Sequence, residues 1–415
     1  MSKLIALKCK ECGREFDVGT LHVCEFCFGP LEASYDYGYI KSKVSRKKIE
    51  NGPTNLWRYV DLLPVEQAFD PNFPVGFTPL QQASRLGERI GLDRLYIKND
   101  SVNPTFSFKD RVVAIAITKA QELGYTTFAC ASTGNLASAV AAAGARVGMD
   151  TFVFLPSDIE AGKVLNAAVY GANIIAIDGT YDQLNRLCSE IADERDWAFC
   201  NINIRPYYSE GSKTLAFETV EQLGWRAPDH VVVPIASGSL YTKITKGFRE
   251  LVEVGLIDHQ NVRISGAQAD GCGPVAEAFE TGSDLVRPLQ RPATIAKSLA
   301  IGNPADGRYS LAIARETNGS IVSVSDQEIV AGIRLLASTE GIFTETAGGV
   351  TVAVLKKLAE SGIITEEELT VAYITGNGLK TQEALDSEAS ISMTIEPTYT
   401  AFEQAFEKRA DFAAV

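Results

Sequence analysis

The 415-residue sequence has no apolar run suited to crossing a bilayer. The longest candidates, residues 231–236 and 132–147, are too short or too rich in Ala and Gly and helically patterned. The opening MSKLIALKCKECG lacks the uninterrupted apolar segment of a secretory signal. Both features predict a protein that stays in the cytoplasm and has no membrane partner. Positive charge is also scarce: 39 Lys and Arg stand against 52 Asp and Glu, for a net charge of −13 and a pI of about 4.9. Polyanion binding depends on clustered cations that release counterions, so no nucleic-acid partner is expected, whereas a small anionic substrate needs only a local pair of cations. Internal repeats and low-complexity tracts are missing, as are the P-loop GxxxxGK[ST] and a dinucleotide fingerprint. What remains is ordinary: 46% hydrophobic, 22% charged, mean hydropathy +0.01, and long enough for two or three domains.

Cysteine is unevenly spread. Of eight, four fall in the first thirty residues as two CxxC pairs, Cys9/Cys12 and Cys24/Cys27, each closely followed by glycine. Two thiolates from each of two tight knuckles can close a tetrahedral zinc shell, and the glycines permit the positive φ such turns need. Disulfides and a His22 ligand are the alternatives. Four thiolates leave no open coordination position, so the zinc would staple a small lobe rather than catalyse. Cys130, Cys188, Cys200 and Cys272, scattered in apolar or loop contexts, read as inert thiols.

Beyond a polar connector over 39–51, short β-branched runs alternate with helical patterns. Strands are predicted at 127–130, 151–155, 173–177, 231–235, 263–267 and 370–374, and a helix is patterned by Val113, Ala116, Ile117 and Ala120. Such alternation predicts an α/β fold with parallel sheets. Ligands of open α/β sheets sit beyond the carboxyl ends of strands, so four strand-to-helix turns draw attention.

The first, SVNPTFSFKDR, delivers Lys109 to a helix start, where the dipole disfavours a second positive charge and should lower the amine's pKa, as Schiff-base chemistry requires. A solvated lysine is the plainer alternative. The second, ASTGNLA, places Ser132, Thr133 and Asn135 where they can cap a helix whose free N–H groups suit a carboxylate. The third, ASGSLY, offers small residues and hydroxyls for a phosphate cup, or else a plain capping loop. The fourth, TGNGLKT, presents the Thr375 hydroxyl on a glycine-rich turn.

Together with FGPLE after the second CxxC, GFTPL at 76–80, EGSKT at 210–214 and ETAGG at 345–349, these segments resemble, in order and spacing over almost the whole chain, the fold-type II pyridoxal-phosphate (PLP) enzymes, and within them the threonine synthases. The resemblance implies a two-domain enzyme with an N-terminal zinc-ribbon-like lobe at 1–38. A larger PLP-binding domain would span 39–97 and 206–415, and a smaller mobile domain 98–205. Lys109 would bind the cofactor covalently and shuttle protons, Asn135 would meet its phenolic oxygen, and Thr375 its ring nitrogen. Ala236, Ser237, Gly238, Ser239 and Leu240 would hold its phosphate. Ser132, Thr133 and Gly134 would hold the substrate carboxylate, and Arg205 and Lys213 the phosphate of O-phospho-L-homoserine. The implied reaction yields L-threonine and phosphate, in a homodimer; threonine dehydratase or cysteate synthase chemistry on the same lysine is the alternative. Three positions depart from the commonest pattern: 236–240 lack the side-chain amides of GNxGN, the arginine before EGSKT is displaced to Arg205, and Phe106 stands where many relatives carry glycine.

Overall fold

The computed structural model describes residues 2–132, 134–157, 161–179, 181–259, 261–388, 391 and 393–410. A three-stranded antiparallel sheet comes first, built from β1 (Leu4–Cys9), β2 (Glu15–Phe16) and β3 (Leu31–Tyr35) in the order β2-β1-β3. Six further strands form the main sheet: β4 (Leu80–Gln82), β5 (Leu95–Asn99), β10 (His230–Pro234), β11 (Arg263–Ala269), β12 (Ile321–Val324) and β13 (Thr370–Ile374). Their order is β12-β11-β10-β13-β5-β4, parallel throughout except for β4. The remaining four, β6 (Thr127–Ala131), β7 (Asp150–Pro156), β8 (Asn173–Ile177) and β9 (Ala198–Phe199), form a parallel sheet in the order β8-β7-β6-β9.

The expected strands are present to within one or two residues at each end. Every residue of β6, β10 and β13 is buried, which is why their sequences read as continuous apolar runs rather than alternating ones: helices cover both faces. The domain boundary expected at residue 98 shifts. Lys98 and Asn99 pair with Tyr373 and Ile374 in the main sheet, and the smaller sheet begins only at Thr127. The ribbon lobe is no appendage. Leu4, Leu7, Leu31 and Ala33 share one continuous core with Val113, Ile117, Val231 and Ile244, and the Lys3 ammonium donates to the Val60 carbonyl.

One polar cluster is buried as deeply as the apolar core. Arg111, fully buried, donates from Nε to Asp100 Oδ2 at 2.6 Å and from Nη2 to Asp100 Oδ1 at 2.8 Å, and grips Glu218 with both Nη atoms. Lys98 Nζ lies 2.6 Å from Glu218 Oε2, and the Phe77 and Thr78 amides donate to the same carboxylate. Burial pushes the Glu218 carboxyl up, but the Arg111 and Lys98 charges outweigh it and hold it down at about 2. Gly76 has φ +79°, and a Cβ there would come within 2.8 Å of Glu218 Oε1 and 2.9 Å of Arg111 Nη1, which accounts for the glycine opening GFTPL.

Replacing Arg111 with Met should destabilise the chain by about 3–5 kcal/mol, because buried Asp100 loses its cation and Glu218 keeps only Lys98. A lowered urea midpoint checks this; an unchanged midpoint would show that the cluster carries no stability.

Candidate active site

Three adjacent strands of the main sheet end at one edge, and each delivers one expected group. From β5 the chain passes through Asp100 and a Pro104 turn to Lys109, the first residue of the helix Lys109–Glu122. β13 ends at Ile374, followed by Thr375; β10 ends at Pro234, followed by residues 236–240. The Lys109 turn is braced on both sides: Asp110 accepts from the Thr105 amide and hydroxyl, both at 2.8 Å, and the Phe108 amide donates to the Thr375 carbonyl at 2.9 Å. Phe106 adopts φ +64°, a left-handed conformation natural to the glycine of relatives and strained for a side chain, and its carbonyl accepts from the Asn377 amide at 3.0 Å. Substituting phenylalanine has thus kept the turn.

Lys109 Nζ donates to the Tyr208 hydroxyl at 2.9 Å and stands 4.6 Å from the centre of the Phe108 ring. Its pKa is lowered to about 8. Loss of hydration is the largest cause, partly offset by Cys200 and Glu345, so burial accounts for the shift that the helix dipole was expected to produce.

The centre of the site is a group for which the sequence suggested no role. Glu345 is buried immediately before the helix Thr346–Glu360; its Oε2 accepts from Asn135 Nδ2 at 2.9 Å and its Oε1 from the Thr375 hydroxyl at 3.3 Å. Burial raises its pKa, while the Asn135 and Thr375 hydrogen bonds and the Lys380 and Lys109 charges pull it down. One carboxylate thus gathers the amide, hydroxyl and amine expected around a cofactor ring. ETAGG had marked the segment by resemblance; which groups its glutamate meets depends on β6 and β13 coming together. Lys380, of TGNGLKT, also belongs to this neighbourhood. Its pKa is lowered by burial and raised back by Glu345 and Asp110.

The helix after ASTGN starts at Asn135 with Gly134 as its N-cap, and no side chain caps it. Capping by Ser132 or Asn135 is therefore not observed: Asn135 reaches Glu345 instead, and the Ser132 hydroxyl accepts from the Gly134 amide at 3.4 Å. The Ala137 amide turns back to the Gly134 carbonyl at 3.0 Å, so the Asn135 and Leu136 amides are the helix-opening donors that no side chain caps, and a Cβ on Gly134 would meet nothing within 4 Å. Thr133 lies outside the described residues. At 236–240, Gly238 has φ +93° and caps the helix Ser239–Glu253, again without a side-chain cap, so this N-terminus too is free to receive an anion. The absence of side-chain amides at 236–240 leaves the backbone N–H groups of this helix start in place.

The two expected substrate-phosphate cations part company. Arg205 lies 3.6 Å from Asp306 and keeps 38% of its side-chain surface exposed. Lys213 is fully buried, 2.7 Å from Glu210 and 2.8 Å from Glu250, with a further bond to the Leu62 carbonyl at 3.1 Å. It is a structural ion pair with no surface to offer a substrate. The clue was in the sequence, since Glu210 precedes Lys213 by three residues on a helical stretch.

At the other end of the chain, the Sγ atoms of Cys9, Cys12, Cys24 and Cys27 all lie within 4.8 Å of one another, with Cys9–Cys27 at 3.5 Å and Cys12–Cys24 at 3.7 Å. All four thiols are free. Zinc–sulfur bonds of about 2.3 Å in a tetrahedron set sulfurs roughly 3.8 Å apart, so the donor set fits zinc.

Residues 72–376 match the family model described as pyridoxal-phosphate dependent enzyme. Threonine synthase of Methanocaldococcus jannaschii is 39% identical over 94% of this chain and 95% of its own, and that of Methanosarcina acetivorans 38% identical over 94% and 95%. Among solved structures, processed threonine deaminase isoform 2 from Solanum lycopersicum superposes with a TM-score of 0.62 at 22% identity, covering 80% of this chain and 82% of its own. Maize serine racemase gives 0.60 at 21%, covering 72% and 89%. At that identity the superpositions speak for the fold alone, which is the fold-type II arrangement. By its family match and by end-to-end similarity to these relatives, the chain belongs to the pyridoxal-phosphate-dependent enzymes and, among them, to the threonine synthases.

Proposed function

We propose that the chain converts O-phospho-L-homoserine and water to L-threonine and phosphate at the site around Lys109, with the cofactor phosphate on 236–240. The observation that carries this is that Asn135 and Thr375 both bond to Glu345, whose charge acts on the Lys109 amine, in a chain so similar to threonine synthases along its length. The donor set fits the cofactor: an amine with a depressed pKa, a neutral hydroxyl, an amide, and a free helix N-terminus for the phosphate. When bound, PLP supplies an electron sink conjugated to the substrate's Cα.

The protein's own residues do the rest. The amides opening the helix at Asn135, with Ser132, Thr133 and Gly134, receive the substrate carboxylate. Lys109, half neutral near pH 8, would hold the cofactor when it is bound and would take the proton from the substrate's Cα. Tyr208 holds that amine in place. A Cβ proton then leaves, phosphate departs from Cγ, a proton returns to Cγ, and water adds at Cβ. Arg205, exposed enough to turn from Asp306, and Lys380 are the cations we assign to the leaving phosphate; Lys213 is not among them. Thr375, uncharged, leaves the ring nitrogen unprotonated.

Three further readings rest on the family resemblance. The working unit is a homodimer, its compartment is the cytoplasm, and the unit around the four-stranded sheet closes over the substrate to exclude water. Among the described residues no helix is long and apolar enough to cross a membrane. We also read the four clustered cysteines as a structural zinc site.

Purified protein given O-phospho-L-homoserine should release threonine and inorganic phosphate in equal amounts, and Lys109→Ala should abolish both. Conversion of threonine to a 2-oxo acid without phosphate release would instead identify a dehydratase. The rate at which Lys109 captures added PLP, read by borohydride trapping, should rise with pH and level off above about 8, as the amine loses its proton. In Glu345→Gln the rise should shift to lower pH, since removing the carboxylate removes a charge that raises the Lys109 pKa; an unmoved profile would sink the coupling. Metal analysis should find about one zinc per chain, lost in Cys12→Ser, in keeping with a four-thiolate site.

A further inference from the structure

The ribbon's first knuckle touches the part of the main domain that backs the phosphate cup. Lys10, between Cys9 and Cys12, places Nζ 2.9 Å from Asp306 Oδ1 and 3.7 Å from the centre of the Tyr309 ring. Its neighbour Glu11 meets Arg308 at 2.8 Å and accepts from the Tyr309 hydroxyl. The Lys10 amide is itself fixed, donating to the Pro30 carbonyl at 3.0 Å.

Asp306 faces two ways. Its side chain receives Lys10, while its amide donates to the Ser237 carbonyl at 2.8 Å, inside the cup. Gly238 presses against the same turn: a Cβ there would come within 2.7 Å of Ser310 Oγ and 2.9 Å of the Asp306 backbone carbon. Strand β3 adds a second grip, since Glu32 pairs with Lys243 and, at 3.1 Å, with Lys246, both on the helix whose N-terminus Gly238 caps. The ribbon therefore holds the cup's loop from behind and its helix from the side.

We infer that Lys10 is a positioning residue for cofactor binding, acting through Asp306 to keep the amides of 237–240 aimed at the PLP phosphate. The inference rests on reading 236–240 as the phosphate cup. None of the four cysteines need touch the cofactor for the ribbon to govern its affinity. Lys10 itself never reaches the phosphate; it fixes the carboxylate whose backbone fixes the loop.

The test is titration of the full-length apo-chain with PLP, followed by absorbance, with the phosphorus NMR shift of the bound cofactor recorded beside it. Lys10→Met should weaken PLP about tenfold and move the phosphorus resonance, whereas Lys10→Arg, which restores the charge, should stay within about twofold of the parent. Asp306→Asn, which also frees Arg205 at 3.6 Å, should weaken PLP at least as much as Lys10→Met, and the double variant should be no worse than Asp306→Asn alone, because the Lys10 link is already broken in it. Circular dichroism on the same samples reports folding, and Lys10→Gln carries the test should Lys10→Met not fold. Parental affinity in the Lys10 variant, or full additivity in the double variant, overturns the link. Gly238→Ala is the control for the cup: weakened binding there beside an unaffected Lys10 variant removes only the ribbon's role, and parental binding in Gly238→Ala removes the cup and the inference with it.

Discussion

The grip of Arg111 on Asp100 and Glu218 is the constraint on which the site depends. Arg111 follows Lys109 by two residues, Asp100 opens the strand-to-helix passage that leads to it, and Glu218 holds the backbone of GFTPL from a helix of the main domain. A reactive lysine needs a fixed origin, and a short helix-opening turn with a Pro and a left-handed Phe106 would not supply one alone. Taking three charges and Lys98 out of water is costly, and the pairs repay it only because every carboxylate oxygen is engaged. Such clusters favour one geometry strongly over its neighbours, which is what the role we propose for Lys109 requires.

Much of this was legible in the sequence, for a physical reason. A parallel strand buried on both faces has to be a short apolar run, often β-branched, and a helix laid on it has to repeat every three to four residues, so β6, β10 and β13 announced themselves. Turns at their carboxyl ends carried the site because that is where backbone N–H groups and short side chains open to a ligand. What could not be read was the partner of each charged group. Lys213 and Arg205 are both cations beside EGSKT, yet one is locked between Glu210 and Glu250 and the other faces outward; the three-residue spacing hints at Glu210, but Glu250 is brought in only by the packing of the helices 213–222 and 239–253. Glu345 shows the same limit, since its contacts come from three distant segments. Asn135 likewise had two uses open to it, capping its helix or reaching across, and the nearby carboxylate decided the matter.

Electrostatically the site is a small economy of opposed effects. Dehydration alone would push Glu345 towards its acid form and Lys109 towards its free amine; each charge moderates the other's shift, and Lys380 enters on the same side as Lys109. Lys109 is thereby brought down to about 8, within reach of neutral pH, while the Glu345 carboxyl is displaced upward by its burial. The surroundings are dry rather than highly charged, consistent with the strongly acidic surface having little say in the chemistry.

The strand order carries a consequence for how the chain comes into being. β13, close to the end of the sequence, lies between β5, from its first quarter, and β10. Until that strand inserts, the main sheet is two separate pieces with exposed inner edges, and Lys109 has no Thr375 carbonyl to hold the amide before it. Lys109 is thus synthesised about 260 residues before the strand that completes its setting. A nascent chain carrying Lys109 would not yet be an enzyme, and its unpaired strand edges would be the surfaces a chaperone has to guard.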